Sequence, residues 1–288
     1  MTDTGATPGG TLWLVATPIG NLGDLPPRAI EVLARAALVC CEDTRRTGRL
    51  LQHAGIRAER LAVANDHTEF HRIADVLGVL GDGRDVAVVS DAGTPGISDP
   101  GERLVRAALD AGYQVASVPG ASAAITALVI SGLPTDRYVF EGFIPRSGRD
   151  RARRIADIAT ERRTIVLYEA PHRIVRTLAD LSEACGADRP VAVCRELTKL
   201  YEEVVRGTLG GIDVGEPRGE YVIVLGGAPV DTGPIDDDTV RRALHEQLDA
   251  GATKKDAIAA VAQRLAIPKK RVYALAITTS TTPTHPAD

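Results

Sequence analysis

The sequence of 288 residues contains few aromatic side chains: one Trp, six Tyr and three Phe, or 3% of the chain. Proteins that bind single-stranded nucleic acid mainly by base stacking usually carry more. An excess of one charge is also lacking, because 34 basic residues face 38 acidic ones and the formal net charge is -4. This balance excludes a protein whose main task is to coat nucleic acid, although it leaves room for a local basic face.

Cysteine and long apolar runs are scarce as well. The four cysteines are Cys40, Cys41, Cys185 and Cys194, with no C-x-x-C spacing among them. We therefore expect buried, reduced thiols and neither a disulfide framework nor a metal site. No stretch approaches the length of a membrane span, and the first ten residues have no apolar signal core. These features predict a cytoplasmic protein without a membrane anchor.

What is present is an alternation of short apolar runs with amphipathic stretches. It predicts an α/β fold with a mostly parallel sheet covered on both faces. In the first half we predict strands at Leu12–Ala16, Leu38–Cys41, Leu61–Ala64, Val86–Val89 and Val115–Val118, and helices at Pro27–Ala36, Thr47–Ala54, Thr68–Leu80, Glu102–Ala111 and from Pro119 to about Ser131.

The second half has a more β-rich pattern, which predicts a mixed sheet. Its expected strands are Val139–Phe143, Thr164–Tyr168, Val191–Cys194, Glu203–Arg206 and Tyr221–Leu225, with helices at Arg149–Ala159 and His172–Cys185. Three short helices follow at Thr239–Ala250, Lys254–Leu265 and Lys269–Ile277. This last group is either a nucleic-acid reader of the helix-turn-helix kind or a small packing appendage.

Breaks rich in Gly, Pro and Asp divide the chain into six parts. We predict a disordered leader (1–10), an N-terminal α/β domain (11–134), a second α/β domain (135–228), a linker (229–238), a C-terminal helical unit (239–277) and a disordered tail (278–288).

The stretch from Val88 to Gly101 reads VVSDAGTPGISDPG: an apolar run that ends in a loop of small and rigid residues. Such a loop allows main chain to approach a ligand closely, and a strand, a glycine loop and a helix in this order commonly build a small-molecule site. Gly20 and Gly23 after the first strand fit a dinucleotide fingerprint poorly, because its first glycine is missing and Pro26-Pro27 delays the helix. A nicotinamide enzyme is thus a weak alternative.

Charged blocks also follow several predicted strands, where open α/β sheets bind ligands. They are Glu42-Asp43-Thr44-Arg45-Arg46, Tyr168-Glu169-Ala170-Pro171-His172-Arg173 and Arg195-Glu196-Leu197-Thr198-Lys199. The first block has a structural alternative as a helix N-cap, and the other two as salt bridges.

Two regions are basic. Arg146 to Arg163 holds seven arginines against three acids, and Ala252 to Tyr273 holds six basic residues against Asp256 alone. Each is either a binding surface for nucleic acid or a solvated helix face.

Several of these blocks together resemble the ribosomal RNA small-subunit methyltransferase I family, whose members are 2′-O-ribose methyltransferases within the tetrapyrrole methylase superfamily. The resemblance runs from about Leu12 to Leu225 and continues more weakly in TKKDAIAAVAQRL. It rests on LVATPIGNLGDLPPRAIEVL, CEDTRRTGRLL, VVSDAGTPGISDPG, VPGASAAITAL, SGLPTDRYVFEGFIPR, YEAPHR, RELTKLYEE and GEYVIVL.

The resemblance implies a class III, tetrapyrrole methylase-like architecture: two α/β domains with S-adenosylmethionine in the cleft between them, and a homodimer. It further implies methyl transfer to the 2′-hydroxyl of a cytidine in the decoding region of small-subunit ribosomal RNA. By analogy, the residues that bind the cofactor are Pro18, Ala92, Gly93, Thr94, Ile97, Ser122, Ala123, Tyr168, Glu169 and Leu197.

A 2′-hydroxyl is a poor nucleophile until it loses its proton, so a general base would assist the reaction. Asp99 and Lys199 are our first candidates, with Glu42, Asp43 and Glu196 as alternatives. Phosphate contacts are expected from the C-terminal lysines and from Arg45, Arg46, Arg49, Arg146, Arg149, Arg151 and Arg153. Two other functions stay open: methylation of a tetrapyrrole or another small molecule, and a non-catalytic module that binds the ribosome.

Overall fold

A computed structural model describes residues 9–65, 68–229, 236–265 and 267–278. The described residues up to Ala228 form one compact unit that contains two sheets, and the described residues from Pro229 form a second. Most of the predicted leader (1–8), most of the linker (230–235) and most of the tail (279–288) lie outside the described residues.

The first sheet has five parallel strands in the order β3-β2-β4-β1-β5. The strands β2 and β4 are buried along their whole length, as expected where helices cover both faces of a parallel sheet. The elements are β1 (Thr11–Val15), α1 (Pro27–Arg35), β2 (Leu38–Cys41), α2 (Thr44–His53), β3 (Leu61–Val63), α3 (Glu69–Gly81), β4 (Val86–Val89), α4 (Glu102–Asp110) and β5 (Gln114–Val118), with a 3₁₀ turn at Leu22–Asp24.

The second sheet is mixed, in the order β6-β7-β10-β8-β9. Only the β6–β7 pair among its four strand pairings is parallel. Its elements are β6 (Tyr138–Phe143), α6 (Gly148–Thr160), β7 (Thr164–Glu169), α7 (Ile174–Cys185), β8 (Pro190–Arg195), β9 (Glu203–Thr208) and β10 (Tyr221–Leu225). The predicted α/β architecture with a mixed second sheet is confirmed.

The helix α5 (Ala123–Ser131) packs on the second sheet although it directly follows the first. Ala127 and Leu128 share a buried cluster with Val166, Cys194 and Val224. The predicted boundary at 134 follows this helix in sequence, but the packing of the helix joins it to the strands that come later. The segment between β5 and α5 therefore connects the two sheets.

The C-terminal unit consists of α8 (Asp237–Asp249), α9 (Lys254–Arg264) and α10 (Lys269–Thr278). It has an apolar core of its own, centred on Val240, Leu244, Val261 and Val272. Asp236 caps α8 through a hydrogen bond accepted from the Thr239 N–H, so the final residues of the predicted linker belong to the helix. Among the described residues, no helix combines the length and apolar character of a membrane span.

Some predicted boundaries are corrected by local contacts. Helix α2 begins at Thr44, not Thr47, because Asp43 caps it: the carboxylate accepts the Arg45 N–H at 2.8 Å. Helix α7 begins at Ile174, after a turn at 171–173. Gly10, placed in the leader by the sequence, donates its N–H to the Leu80 carbonyl, and a Cβ there would lie 1.9 Å from the Arg84 carbonyl oxygen. Regular packing therefore starts before residue 11.

Candidate functional site

A cavity of about 490 Å³ lies where the ends of the two sheets face each other. This volume is within the range of small-molecule sites. From the first sheet it is lined by segments that follow β1, β2, β4 and β5, and from the second by the ends of β6 and β7, the segment after β8 and the start of β10. Because β10 is antiparallel to β7 and β8, its first residues lie at the same edge as their last ones. The strand ends singled out in the sequence therefore meet at one place.

The cavity brings together nine of the ten expected cofactor residues. They are Ala92, Gly93, Thr94, Ile97, Ser122, Ala123, Tyr168, Glu169 and Leu197. Ile19, and not its buried neighbour Pro18, lines the cavity after β1. The block after β1 therefore reaches the cavity through Ile19, and a cofactor contact of Pro18 stays a prediction.

The loop after β4 is held in place by Thr17. Thr17 and Gly93 exchange two backbone hydrogen bonds, with N···O distances of 2.8 and 3.1 Å. The Thr17 hydroxyl also donates to the Ser90 carbonyl at 3.1 Å, and the Ser90 hydroxyl donates to the Gly93 carbonyl at 3.1 Å. All three residues are buried. This network fixes the loop against the end of β1.

These bonds correct the expected role of Gly93. Its N–H and its carbonyl both bind Thr17, so they serve the loop and are not offered to a ligand. Gly93 has a φ of +89°, a conformation that favours glycine, and an added Cβ would lie 3.3 Å from Ile19 Cγ2. Ala92 and Thr94, on either side of Gly93, also line the cavity.

The far end of the same loop is held by a residue that sequence reasoning missed. Glu69, the first residue of α3, is 3% exposed, and its Oε1 accepts N–H groups of Gly101, Arg103 and Leu104 at 2.9, 3.1 and 3.2 Å. The carboxylate therefore caps α4 from another helix. No local spacing signals this cap, because the partners are more than 30 residues apart in the chain.

Acidic residues dominate the charged part of the lining. Glu42 Oε1 accepts the Asp91 N–H at 2.9 Å, and Arg46 Nη1 lies 3.3 Å from Asp91 Oδ2. Burial raises the pKa of Asp91, although Arg46 acts in the opposite direction. Among the described residues that line the cavity, the acids are Glu42, Asp91, Asp99, Glu169 and Glu220, against the single cation Arg46.

Asp43 lies outside this lining, contrary to its inclusion among the base candidates. It pairs with the exposed Arg45 and caps α2, which lowers its pKa well below the ordinary value. The structural alternative for this residue, an N-cap, is thereby confirmed.

The second sheet contributes an aromatic wall and a buried ion pair. Tyr168 makes edge contacts with Phe140 and Phe143, at ring centroid distances of 5.0 and 5.6 Å. Phe143 lines the cavity and is 51% exposed. Glu169, 2% exposed, accepts the Thr177 hydroxyl at 2.6 Å and lies 3.2 Å from Arg173 Nε. Glu169 therefore lines the cavity, but its carboxylate is already bound by Thr177 and Arg173 from the same side of the cavity.

The surroundings of Lys199 do not favour it as the general base. Its Nζ lies 2.8 Å from Glu196 Oε1 and 2.9 Å from Glu220 Oε2. Burial alone would lower the pKa of Lys199, but these two hydrogen-bonded carboxylates raise it above its usual value. A lysine base needs a lowered pKa. The side chain lies outside the lining and packs near Gly20, where a Cβ would come within 2.4 Å of Lys199 Cγ.

Glu196 is not favoured as a base either, because its carboxylate is bound to Lys199 and lies outside the lining. Although burial acts in the opposite direction, the bond to Lys199 lowers the pKa of Glu196. Of the five base candidates, only Asp99 and Glu42 line the cavity.

Six of the seven arginines predicted to contact RNA are exposed. They are Arg45, Arg46 and Arg49 around α2, and Arg146, Arg149 and Arg153 around α6. Arg151 is the exception, because it is 4% exposed and its guanidinium donates to Asp180, Thr177 and the Pro145 carbonyl. Arg151 therefore holds α6 and α7 together, and the prediction that it contacts phosphate is wrong.

Comparisons with known proteins identify the family of this chain. The family model of the Tetrapyrrole (Corrin/Porphyrin) Methylases matches residues 11–213. The ribosomal RNA small subunit methyltransferase I of Synechocystis sp. is 44% identical over 273 residues, covering 93% of this chain and 98% of the relative. The protein of the same name from Xylella fastidiosa is 44% identical and covers 93% and 99%.

Solved structures share the fold at low identity. The methyltransferase CobJ has a TM-score of 0.59 at 20% identity, covering 76% of this chain and 95% of that one. Uroporphyrin-III-C-methyltransferase from Thermus thermophilus has a TM-score of 0.54 at 22% identity, covering 75% and 94%. The likeness to these two structures concerns the fold alone, whereas the curated relatives match across nearly the whole chain. The chain therefore belongs to the ribosomal RNA small subunit methyltransferase I family, within the tetrapyrrole methylases.

Proposed function

We propose that the protein transfers a methyl group from S-adenosylmethionine to the ribose 2′-hydroxyl of a cytidine in the decoding region of small-subunit ribosomal RNA. Family membership supports the reaction class and the RNA. The observation that carries the site is the cavity at the joined strand ends, which gathers nine of the ten residues expected to hold the cofactor.

The lining suits this methyl donor. Five carboxylates and one arginine line the cavity, and Arg173 and Lys199 pair with two of these carboxylates from outside the lining. The negative charges still outnumber the positive ones, which favours a ligand with a sulfonium and an ammonium group. Ser122 and Ala123 place the N-terminus of α5 at the cavity, where a helix favours a carboxylate such as that of the donor's amino-acid part. Ile19, Ile97 and Leu197 supply apolar surface.

When bound, S-adenosylmethionine supplies a methyl carbon activated by a positively charged sulfur. The chain's own task is then to hold the hydroxyl oxygen in line with that carbon and sulfur, which is catalysis by positioning. Thr17 and Glu69 hold the two ends of the loop that carries Ala92 and Thr94. A loop fixed at both ends loses little freedom on binding, so it can position a ligand accurately.

Exposed arginines give the RNA a route to the cavity. Arg46 lines it, and Arg45 and Arg49 lie on the same helix. Arg146, Arg149 and Arg153 present cations beside β6, whose last residue, Phe143, also lines the cavity. The C-terminal unit, taken by itself, also carries exposed cations, among them Lys254, Lys255, Lys269 and Lys270. Side chains of this kind bind backbone phosphates, and such contacts do not depend on the base sequence of the RNA.

We also propose that the protein acts in the cytoplasm, where ribosomal subunits mature, and that it forms a homodimer. Family resemblance supports the dimer. The loop between β8 and β9 carries Leu200 and Tyr201, which are 89% and 72% exposed and are suited to burial against another chain.

The test is methyl transfer in vitro from radiolabelled S-adenosylmethionine to small subunits purified from a strain that lacks the protein. We expect label in ribosomal RNA, and mass spectrometry of nuclease digests should place it on one cytidine ribose. A parallel reaction offers uroporphyrinogen, and label there alone would overturn the RNA assignment. Calorimetry with S-adenosylmethionine supplies the third outcome, since no heat of binding would indicate a non-catalytic ribosome-binding module.

A further inference from the structure

Asp91 is the carboxylate in the cavity whose surroundings best suit a proton acceptor. It is separated from the end of β4 by Ser90 and lines the cavity. Its Oδ2 faces Arg46 at 3.3 Å, whereas its Oδ1 is buried and has no hydrogen-bond partner among the described residues. A buried carboxylate oxygen without a donor disfavours the ionised form, so Asp91 is a readier proton acceptor than a carboxylate whose oxygens are both hydrogen-bonded.

Other acids in the lining are already engaged. Glu169 accepts bonds from Thr177 and the Ala170 N–H and pairs with Arg173. Glu220 pairs with Lys199, and Glu42 holds the Asp91 backbone. The backbone bond from Asp91 to Glu42 and the ion pair to Arg46 fix the aspartate at two points, which holds its carboxylate in a defined position.

We propose that the Asp91 carboxylate accepts the proton of the substrate's ribose 2′-hydroxyl, an inference that rests on the proposed function and names its catalytic base. The proton passes from the hydroxyl oxygen to this carboxylate. The electron pair left on that oxygen forms the new C–O bond to the methyl carbon, and the S–C bond breaks with its pair moving to sulfur, which becomes a neutral thioether. Asp99, the acid first favoured from the sequence, is the competing residue in the same lining.

The charged groups around Asp91 set the expected pH dependence. Burial raises the pKa of Asp91 and Arg46 on α2 lowers it, whereas Asp43 lowers it through its nearby backbone N–H and raises it through its charge. Glu42 adds a second carboxylate beside the Asp91 backbone. A base acts only when ionised, so the rate should rise with pH through the pKa of Asp91 and then level off.

The experiment measures single-turnover methylation of saturating small subunits between pH 5 and 8. We expect Asp91→Asn to slow the reaction by about 100-fold or more, since general bases contribute about 10²–10⁴-fold. It should also remove the rise of the rate with pH. Asp110→Asn, an acid-to-amide change at the exposed end of α4, is the matched control and should leave the rate unchanged. Asp99→Asn should retain the rise with pH.

Arg46→Gln separates catalysis from positioning. Removing the cation should move the rise of the rate to higher pH, because Arg46 favours the ionised form of Asp91. If Asp91 only holds Arg46, Arg46→Gln will reproduce the loss seen in Asp91→Asn without moving the pH profile, and the inference is overturned.

Binding provides a readout that is independent of activity. Calorimetry and filter binding should show that the affinities of Asp91→Asn for S-adenosylmethionine and for small subunits lie within about threefold of those of the wild-type protein. A loss of cofactor affinity as large as the loss of rate would make Asp91 a counter-ion of the sulfonium and overturn its role as base. A methylation rate of Asp91→Asn within fivefold of the wild-type rate would also overturn the role of Asp91 as base. If the unmodified protein labels no subunits, the proposed function itself fails.

Discussion

Glu69 Oε1 accepts the Gly101 N–H at 2.9 Å, and this contact joins the start of α3 to the end of the loop that builds the cavity. The same oxygen accepts two further N–H groups of α4. Gly101 has a φ of +137°, so the chain turns there in a conformation that other residues rarely adopt. The cap therefore stabilises a turn that local preferences do not determine.

We predict that Glu69→Ala lowers the free energy of unfolding by about 2 kcal/mol, because three backbone donors lose a charged acceptor in a buried setting. Affinity for S-adenosylmethionine should fall by about tenfold or more, since the loop loses one of its two anchors. Glu102→Ala, at an exposed carboxylate in the first turn of the same helix, should change stability by no more than about 0.5 kcal/mol. Urea unfolding and calorimetry measure both effects. Equal losses in the two variants would contradict the cap.

Gly93→Ala should disrupt the other anchor. The change places a Cβ at a φ of +89° and 3.3 Å from Ile19 Cγ2, so the hydrogen bonds to Thr17 must shift. We expect the free energy of unfolding to fall by about 1–2 kcal/mol, and the affinity for S-adenosylmethionine to fall by a larger fraction than the stability does.

Gly48→Ala is the matched control for Gly93→Ala. This glycine lies inside α2, and an added Cβ meets nothing within 4 Å. Replacing a helical glycine by alanine should raise the free energy of unfolding by about 0.5–1 kcal/mol. Thermal unfolding with and without S-adenosylmethionine tests both variants, and an unchanged affinity in Gly93→Ala would show that the loop conformation does not matter for binding.

The sequence was informative where a rule is local. Strand ends predict where ligands bind, and the loops after β1, β4, β5, β7 and β8 all reach the cavity. It could not show that Glu69 caps α4 or that Lys199 lies between two carboxylates, because both depend on residues brought together only by tertiary packing. Asp91 was overlooked because the burial of its Oδ1, away from any donor among the described residues, also depends on tertiary packing.

Arg151 differs from these cases, because the spacing of residues in its helix did indicate that it is buried. Positions 151, 155 and 158 follow the i, i+4, i+7 spacing of a buried helix stripe, and all three are buried. Arg149 and Arg153 lie on the opposite face. Counting arginines along the segment obscured this periodicity.

The thiols should be inert in the native protein. Burial raises the pKa of Cys40 to about 12 and that of Cys194 to about 11, and it raises the pKa values of Cys41 and Cys185 as well. A raised pKa keeps the protonated, unreactive form up to the folded-state pKa, so at pH 8 these groups should carry almost no thiolate. We predict that iodoacetamide at pH 8 leaves the native protein essentially unmodified and adds four groups after denaturation, as mass spectrometry can count. Rapid labelling of Cys40 in the native state would contradict the burial.

The last prediction concerns the arginines of α6. The double variant Arg149→Glu/Arg153→Glu should weaken binding to small subunits by tenfold or more at low salt. The slope of log affinity against log salt should become shallower by about one for each phosphate that these arginines no longer neutralise. Stability should change by no more than about 0.5 kcal/mol, because both side chains are exposed and the Arg153–Asp150 pair is a surface pair. Cofactor affinity should be unchanged.

Arg151→Gln is the control within the same helix and should show the reverse pattern. It leaves the Asp180 carboxylate without its close partner and empties a buried guanidinium site, so the free energy of unfolding should fall by about 2 kcal/mol. The value lies below that of a fully buried pair because Asp180 is 31% exposed. Affinity of the folded protein for subunits should stay the same, since Arg151 does not reach the surface. Subunit binding across a salt series, with urea unfolding, measures both variants. If the double variant binds as tightly as the parent at every salt concentration, the RNA lies on another face.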